Sequence, residues 1–126
     1  MTSLELPEVS SPHFSTQATY DGKLIRVHLA GNADLHAKDA LESLLTRLHA
    51  EIQRLGASEV TVDLHDLEFM NSSCFKSFVS WISAVQDLNA DKQYRIRFLS
   101  NPAMLWQRRS LHALKCFAID LIQIEQ

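Results

Sequence analysis

The alternation of strand-like and helix-like segments is the feature of this sequence that most restricts its fold. Two strand-like segments come first, and helices and further strands then alternate in the order β-β-α-β-α-β-α-β. Strands that are connected through a helix lie parallel with right-handed crossovers, whereas two directly joined strands pair antiparallel. The order therefore predicts an α/β fold, with a mixed sheet of about five strands and about three packed helices.

Alternation of apolar and polar residues is clearest in the segments KLIRVHLA, EVTVDL and YRIRFLS. In the first of these, Ile25, Val27 and Leu29 fall on one face of the strand and predict a buried side. The dipeptide Asp21-Gly22 just before it is a strong signal for a hairpin turn. A weaker extended segment before this turn and the final segment FAIDLIQI complete the predicted strands.

Three segments show the spacing of apolar residues that is typical of amphipathic helices. The first follows GNADLHAKDA and is expected to end at Gly56. Its apolar stripe consists of Leu41, Leu44, Leu45, Leu48, Ile52 and Leu55. The second begins at NSSC and is expected to close near Asn89. The third is expected to begin at Asn101-Pro102, because proline suits the first turn of a helix.

Length and composition are those of one compact domain. The chain has 126 residues, of which 46% are hydrophobic and 21% are charged, and domains most often have roughly 100–150 residues. Residues 1–12 are rich in serine and proline and are expected to form a flexible arm. A single domain is expected at residues 13–126.

The same composition argues against several classes of protein. No apolar run approaches the ~20 residues that span a bilayer, and the start MTSLELPEVSSPH lacks the regions of a signal peptide. We therefore expect a cytoplasmic protein without membrane insertion. A net charge of −3 gives no sign of a nucleic-acid partner. The six histidines are scattered without metal-ligand spacing, so neither a metal nor another cofactor is expected. Cys74 and Cys116 form no CxxC pair and are expected to be reduced, half-buried thiols.

The stretch LEFMNSSCFKSF, residues 67–78, passes from a strand pattern directly into a helix pattern without a glycine or a proline. Its simplest interpretation is structural. Asn and Ser are preferred N-caps, because their side-chain oxygens accept hydrogen bonds from free N–H groups of the first turn, which stabilises a helix by ~1 kcal/mol. Asn71 would then cap the helix, with Ser72 and Ser73 in its first turn.

Two functional interpretations compete with the cap. Catalysis would combine Ser72 with His65 and Asp66, and Asp63 is also close in sequence. But His65 and Asp66 are adjacent in sequence, and the small residues of a G-x-S-x-G elbow are missing. A position in the first helical turn favours a lowered pKa for Cys74, but no base is placed for it. The other interpretation is a switch. Phosphate is well tolerated at a helix N-terminus, and it adds about −1.5 to −2 charges at one surface point, which would block docking of a partner without unfolding the domain.

The order of elements and this joint together resemble the STAS domain, the fold of bacterial anti-sigma-factor antagonists. The family motif is a strand, an apolar pair and then D-S-S/T-G at the start of a helix, and VTVDLHDLEFMNSSCFKSF is similar to it. In VHLAGNADLHAKDALESLL, Gly31 and Asp34 match the family's G-x-x-D pattern. RFLSNPAMLWQRRSL is a weaker third similarity, and the resemblance covers roughly residues 14–124.

The resemblance implies a regulatory function without enzymatic activity. In the family, the first serine after the acidic residue is phosphorylated by a partner that is both an anti-sigma factor and a serine kinase with a histidine-kinase-like ATP-binding domain. A PP2C-type phosphatase removes the phosphate, and the unphosphorylated form binds the kinase and frees the sigma factor. By position the acceptor is Ser72, with Ser73 as the second choice. The implied partner-binding residues are Gly31, Asp34, Asn71, Ser72, Ser73, Cys74 and Lys76.

Two residues depart from the family pattern. Asn71 stands where Asp is usual, which keeps the cap but removes a negative charge beside Ser72. Cys74 stands where glycine is usual, and its added side chain is expected to narrow the approach of a partner. An asparagine before the acceptor also occurs in STAS-like regulators of a diguanylate cyclase, so a cyclase is an alternative partner.

Other functions stay open from the sequence. A STAS subunit without a switch, acting as a scaffold in a transport or sensor complex, would use Asn71 and Ser72 only as a helix cap. A small-ligand or catalytic domain would use Cys74. Trp81 is either exposed for docking or packed at the flank of its helix. The edge from Trp106 to Arg109 is either an interaction surface or a solvated helix face.

Overall fold

In the described part of the chain, five strands and three helices follow one another in the predicted order. The computed structural model describes Leu6, residues 10–21 and residues 24–126. The strands are β1 (Phe14–Asp21), β2 (Leu24–Ala33), β3 (Glu59–Met70), β4 (Arg95–Leu99) and β5 (Ile122–Glu125). The helices are α1 (Lys38–Leu55), α2 (Ser72–Gln86) and α3 (Leu105–Phe117). Gly22 of the expected turn and most of the expected arm lie outside the described residues.

The sheet has the strand order β1-β2-β3-β4-β5. β1 is antiparallel to β2, and the strands from β2 to β5 are parallel. One helix lies in sequence between each pair of parallel neighbours, which is the βαβ connection that parallel strands require. The predicted α/β class with a mixed sheet is confirmed. No helix in the described part of the chain has the length and apolar character that crossing a bilayer requires.

Several elements differ from the predicted bounds. β2 continues past KLIRVHLA to Ala33, α2 ends at Gln86 rather than near Asn89, and β5 begins only at Ile122. β3 continues past EVTVDL to Met70, because its second half pairs with the end of β2 after register shifts between His28 and Ala30 and between Gly31 and Asn32. α3 begins at Leu105 rather than at Asn101-Pro102.

The late start of α3 follows from a turn that precedes it. The Asn101 side-chain oxygen accepts from the Ala103 N–H at 2.9 Å, and the Asn101 carbonyl accepts from the Met104 N–H at 3.0 Å. Local side-chain bonds of this kind compete with a helical first turn.

One face of the sheet forms the core. The predicted buried residues of β2, Ile25, Val27 and Leu29, are each 1% exposed. Alternate residues of the neighbouring strands join them, and all three helices contribute buried side chains to the same cluster. The helices therefore cover this face of the sheet, and burial of apolar area is the main force that holds the two layers together.

The opposite face of the sheet carries ion pairs. Arg26 of β2 donates to the Asp63 carboxylate of β3 at 2.7 Å, and Arg97 of β4 lies 3.6 Å from Glu59 and 3.3 Å from Glu125. Burial by itself raises the pKa of Asp63, but the hydrogen bonds from the His65 N–H and from Arg26 outweigh it, and the pKa is lowered. Asp63 is consequently ionised at neutral pH.

Candidate functional site

The joint between β3 and α2 is closed by Asn71. This residue has extended backbone angles, with φ −80° and ψ 172°, and its side-chain oxygen accepts from the Cys74 N–H at 2.8 Å. The predicted N-cap is confirmed. Because Asn71 supplies the cap hydrogen bond, Ser72 is not required as the N-cap residue.

Ser72 is the first residue of α2 and is exposed to solvent. Its hydroxyl makes no hydrogen bond to another residue in the described part of the chain. Ser73 is half-buried, and its carbonyl accepts from the Ser77 hydroxyl at 3.3 Å. Of the two serines, Ser72 is the more accessible to a modifying enzyme.

The loop before α1 packs against the same joint. The Asp34 carboxylate accepts from the N–H groups of His36 and Ala37, at 3.0 and 3.2 Å, and so fixes the turn that leads into the helix. The Asn71 N–H donates to the Ala33 carbonyl at 2.9 Å. The predicted site residues Asp34 and Asn71 are thus brought together at one end of the sheet, where β2 and β3 finish.

Gly31 has a specific backbone role at the end of β2. Its φ is +95°, a conformation that residues with a side chain rarely adopt. A Cβ atom at this position would clash with the backbone carbonyl of His13, which accepts from the Asn32 N–H at 2.6 Å. Gly31 therefore allows the chain before β1 to close over the strand that leads to Asp34.

Cys74 points inward. It is 0% exposed, and its Sγ donates to the Asp34 carbonyl at 3.5 Å. The expectation that its side chain narrows the approach of a partner is therefore wrong, because the thiol lies beneath the Asp34 loop. Burial raises the pKa of Cys74, the charge of Asp34 raises it further, and Lys38 opposes the change. The lowered pKa expected from the helix position is also wrong, since desolvation dominates.

Two exposed apolar side chains near the joint were not predicted as site residues. Leu35, next to Asp34, is 69% exposed, and Phe69, two residues before Asn71, is 47% exposed. Periodicity alone assigns Phe69 to the buried side of β3 together with Leu67, and a single leucine in a polar loop gives no signal. Protein-docking surfaces have an apolar centre and a polar rim, and Leu35 and Phe69 supply exposed apolar area beside the polar groups of the joint.

The histidine and aspartate of the catalytic alternative have other partners. His65 Nδ1 lies 3.0 Å from the Asp63 carboxylate, and Asp66 lies 2.8 Å from His28 Nε2. His65 therefore pairs with Asp63 rather than with Asp66, and no hydrogen bond joins it to the Ser72 hydroxyl in the described part of the chain, as a triad would require.

Trp81 packs in the core, and so does part of the edge from Trp106 to Arg109. Trp81 is 4% exposed, and its Nε1 donates to the Tyr94 hydroxyl at 2.8 Å, which settles its role as packing. In α3, Gln107 is 0% exposed although it stands in the polar segment WQRRSLH, while Arg108 and Arg109 are exposed. The spacing of apolar residues does not identify position 107 as buried, because glutamine is a polar residue.

Known structures resemble most of the chain. No protein-family model and no curated protein matches the sequence. An anti-sigma factor antagonist from Mycobacterium paratuberculosis is similar at a TM-score of 0.63 and 16% identity, over 93% of this chain and 90% of that one.

The anti-sigma factor antagonist SpoIIAA is similar in two structures. Its unphosphorylated form has a TM-score of 0.55 and 16% identity, over 88% of this chain and 87% of that one. The phosphorylated form of the Bacillus protein has a TM-score of 0.55 and 17% identity, over 88% of this chain and 91% of that one. The chain therefore has the STAS fold of these anti-sigma factor antagonists.

Proposed function

We propose that this chain is a regulatory protein-binding domain, an anti-sigma-factor antagonist or a close relative, and that phosphorylation of Ser72 switches its docking. One observation carries the proposal. The Ser72 hydroxyl is exposed and unbonded at the start of α2, while Asn71 alone supplies the cap. The likeness in fold to SpoIIAA, which occurs in phosphorylated and unphosphorylated forms, supports it.

The docking surface of this proposal centres on the joint and the Asp34 loop. Gly31 and Asp34 fix the loop, Ser72 and Ser73 lie at the helix start, and Lys76 is exposed one turn further along α2. Leu35 and Phe69 add apolar area, and Cys74 supports the loop from beneath. The partner in this proposal is an ATP-binding serine kinase that is also an anti-sigma factor, with a PP2C-type phosphatase for the reverse step, in the cytoplasm.

Phosphorylation would act by charge and desolvation. A phosphate on Ser72 adds about −1.5 to −2 charges to a surface that the partner must desolvate. A hundredfold loss of affinity corresponds to only ~2.7 kcal/mol, which is within the range that one charge at an interface changes. The fold itself does not depend on the hydroxyl, so the switch leaves the domain intact.

The proposal is tested with matched baits in a lysate of the source organism. Wild type, Ser72→Ala and Ser72→Asp are compared with Ser43→Asp, which adds the same charge at an exposed serine of α1. We expect a kinase-like ATPase to be captured by all baits except Ser72→Asp, and mass spectrometry to find phosphate on Ser72 in the native protein. Equal capture by Ser72→Asp and wild type would contradict the switch. A diguanylate cyclase captured in the same pattern would keep the switch and change its output.

A scaffold without a switch is the second candidate. The observation in its favour is that the Asn71 cap explains the joint without any modification. Ser72→Asn separates the two functions, because asparagine is well accepted in the first turn but cannot be phosphorylated. The scaffold predicts normal assembly with this variant, whereas the switch predicts that the partner stays bound in the presence of ATP.

A further inference from the structure

A groove of about 510 Å³ lies between α1 and α2. Small-molecule sites usually occupy clefts of roughly 300–1,000 Å³. The lining residues that matter here are Lys38, Leu45 and His49 of α1 with Ser73, Lys76 and Trp81 of α2. Ser72 does not line the groove, although Ser73 and Lys76 belong both to the groove and to the proposed docking surface.

The floor of the groove is apolar and held in place by buried hydrogen bonds. Leu45 and Trp81 line the groove and are each 4% exposed. The Tyr94 hydroxyl accepts from Trp81 Nε1 at 2.8 Å and lies 2.6 Å from His49 Nδ1.

The direction of these bonds follows from the chemistry of the groups. Indole and amide N–H groups only donate, so the Tyr94 hydroxyl accepts from Trp81 Nε1, and His49 Nε2 accepts from the Gln53 side-chain amide at 2.8 Å. Burial lowers the pKa of His49, so the ring is neutral near pH 7 with its single proton on Nδ1, which donates to the Tyr94 hydroxyl. The hydrogen bonds at the Tyr94 hydroxyl thereby fix the orientation of the Trp81 ring at the floor of the groove.

The rim of the groove is cationic. Lys38 and Lys76 stand on facing helices, and neither forms an ion pair within the described part of the chain. Glu42 is the one carboxylate among the described lining residues. Two lysines without partners beside an aromatic floor are complementary to a negative charge that is attached to an apolar body.

We propose that the groove between α1 and α2 binds a small organic anion. Its carboxylate or phosphate group lies between the Lys38 and Lys76 ammonium groups, and its ring or chain covers Leu45 and Trp81. The hydroxyl of Ser73 offers a further hydrogen bond to the anionic group at the same end of the groove.

Binding is measured by amide NMR titration of the full chain with four probes. Naphthyl phosphate and naphthoate carry both an anion and a ring, naphthol carries the ring alone, and inorganic phosphate carries the anion alone. The test variant is Lys38→Gln with Lys76→Gln. The matched control is Lys92→Gln with Lys115→Gln, which removes the same charge from two lysines outside the groove.

We expect at least one of the two naphthyl anions to bind wild type saturably, with shifts confined to residues of the groove. Naphthol and inorganic phosphate should bind at least about tenfold more weakly, and the test variant should lose at least about tenfold while the control stays within about twofold. The preferred anion identifies phosphate or carboxylate as the group recognised. Absent saturation, shifts elsewhere, equal binding of naphthol or inorganic phosphate, or an equal loss in the control would overturn the proposal. None of these outcomes depends on Ser72.

Discussion

The two joints that lead from β3 into α2 and from β4 into α3 lie at the same end of the sheet but are built differently. In the first, Asn71 bonds to a backbone N–H only three residues away, and Ser72 is left free on the surface. In the second, the fully buried Gln107 donates to the carbonyls of Leu64 and Leu67, at 2.7 and 3.0 Å, and accepts from the Asn101 N–H at 2.7 Å.

The difference between these joints is one of local against tertiary closure. At the α2 joint, the cap bonds to an N–H group of the first helical turn and leaves the neighbouring side chains available for contacts with other molecules. At the α3 joint, the buried Gln107 amide bonds to carbonyls of β3 and fixes α3 to that strand. This amide is therefore not available for contacts with other molecules. Function is therefore expected at the α2 joint and stability at the α3 joint.

Gln107→Ala is expected to have the largest effect on stability. It removes three buried hydrogen bonds and leaves backbone groups without partners, so we expect a loss of about 3 kcal/mol in the free energy of unfolding. Urea denaturation measures it. The exposed neighbour Arg108→Ala should change the same quantity by less than about 0.5 kcal/mol. A loss below about 1 kcal/mol for Gln107→Ala would mean that the α3 joint is not closed by this side chain.

The two cysteines should differ strongly in their reaction with iodoacetamide. Cys74 is buried with a raised pKa, whereas Cys116 on α3 is exposed. We expect Cys74 to react at least about a hundredfold more slowly in the folded protein, because only opening of the α2 joint exposes it. The rates are measured separately in Cys116→Ser and Cys74→Ser proteins near pH 8. Similar rates would show that the joint opens readily, and that Cys74 is available for chemistry after all.

Asn71→Ala should have the smallest effect of the three. The loss of one N-cap hydrogen bond is expected to lower the free energy of unfolding by ~1 kcal/mol. Asn71→Asp should restore it, since aspartate caps equally well and its charge suits the helix N-terminus. Ser72→Ala is the control, with a change below about 0.5 kcal/mol. A larger loss for Ser72→Ala than for Asn71→Ala would assign the cap to the serine and weaken the case for a switch.

Most of the fold and part of the site were predictable from the sequence. The strand face of Ile25, Val27 and Leu29 is apolar at every second position, and the cap at Asn71 is a bond across three residues. Both features can be predicted from the sequence because the residues that form them are close together in the chain. The predicted start of α3 is wrong, because residues 101–104 form a turn that competes with the first turn of a helix.

Long-range contacts account for the rest. Trp81 is buried because Tyr94 offers an acceptor, and Gln107 is buried because the β3 carbonyls lie about 40 residues away in sequence but within 3.0 Å in space. The exposure of Leu35 and Phe69 also depends on the tertiary structure, because no element in the described part of the chain packs over these side chains.

The sequence by itself determined the order of the elements, the apolar faces and the cap that begins α2, since each depends on residues a few positions apart. Only the tertiary structure decided that Cys74 lies inward, that Gln107 belongs to the core and that Lys38 and Lys76 face one groove. Those outcomes depend on which elements pack against each other in the fold. The free energy of burying a side chain depends on the residues around it, and many of these are distant in sequence.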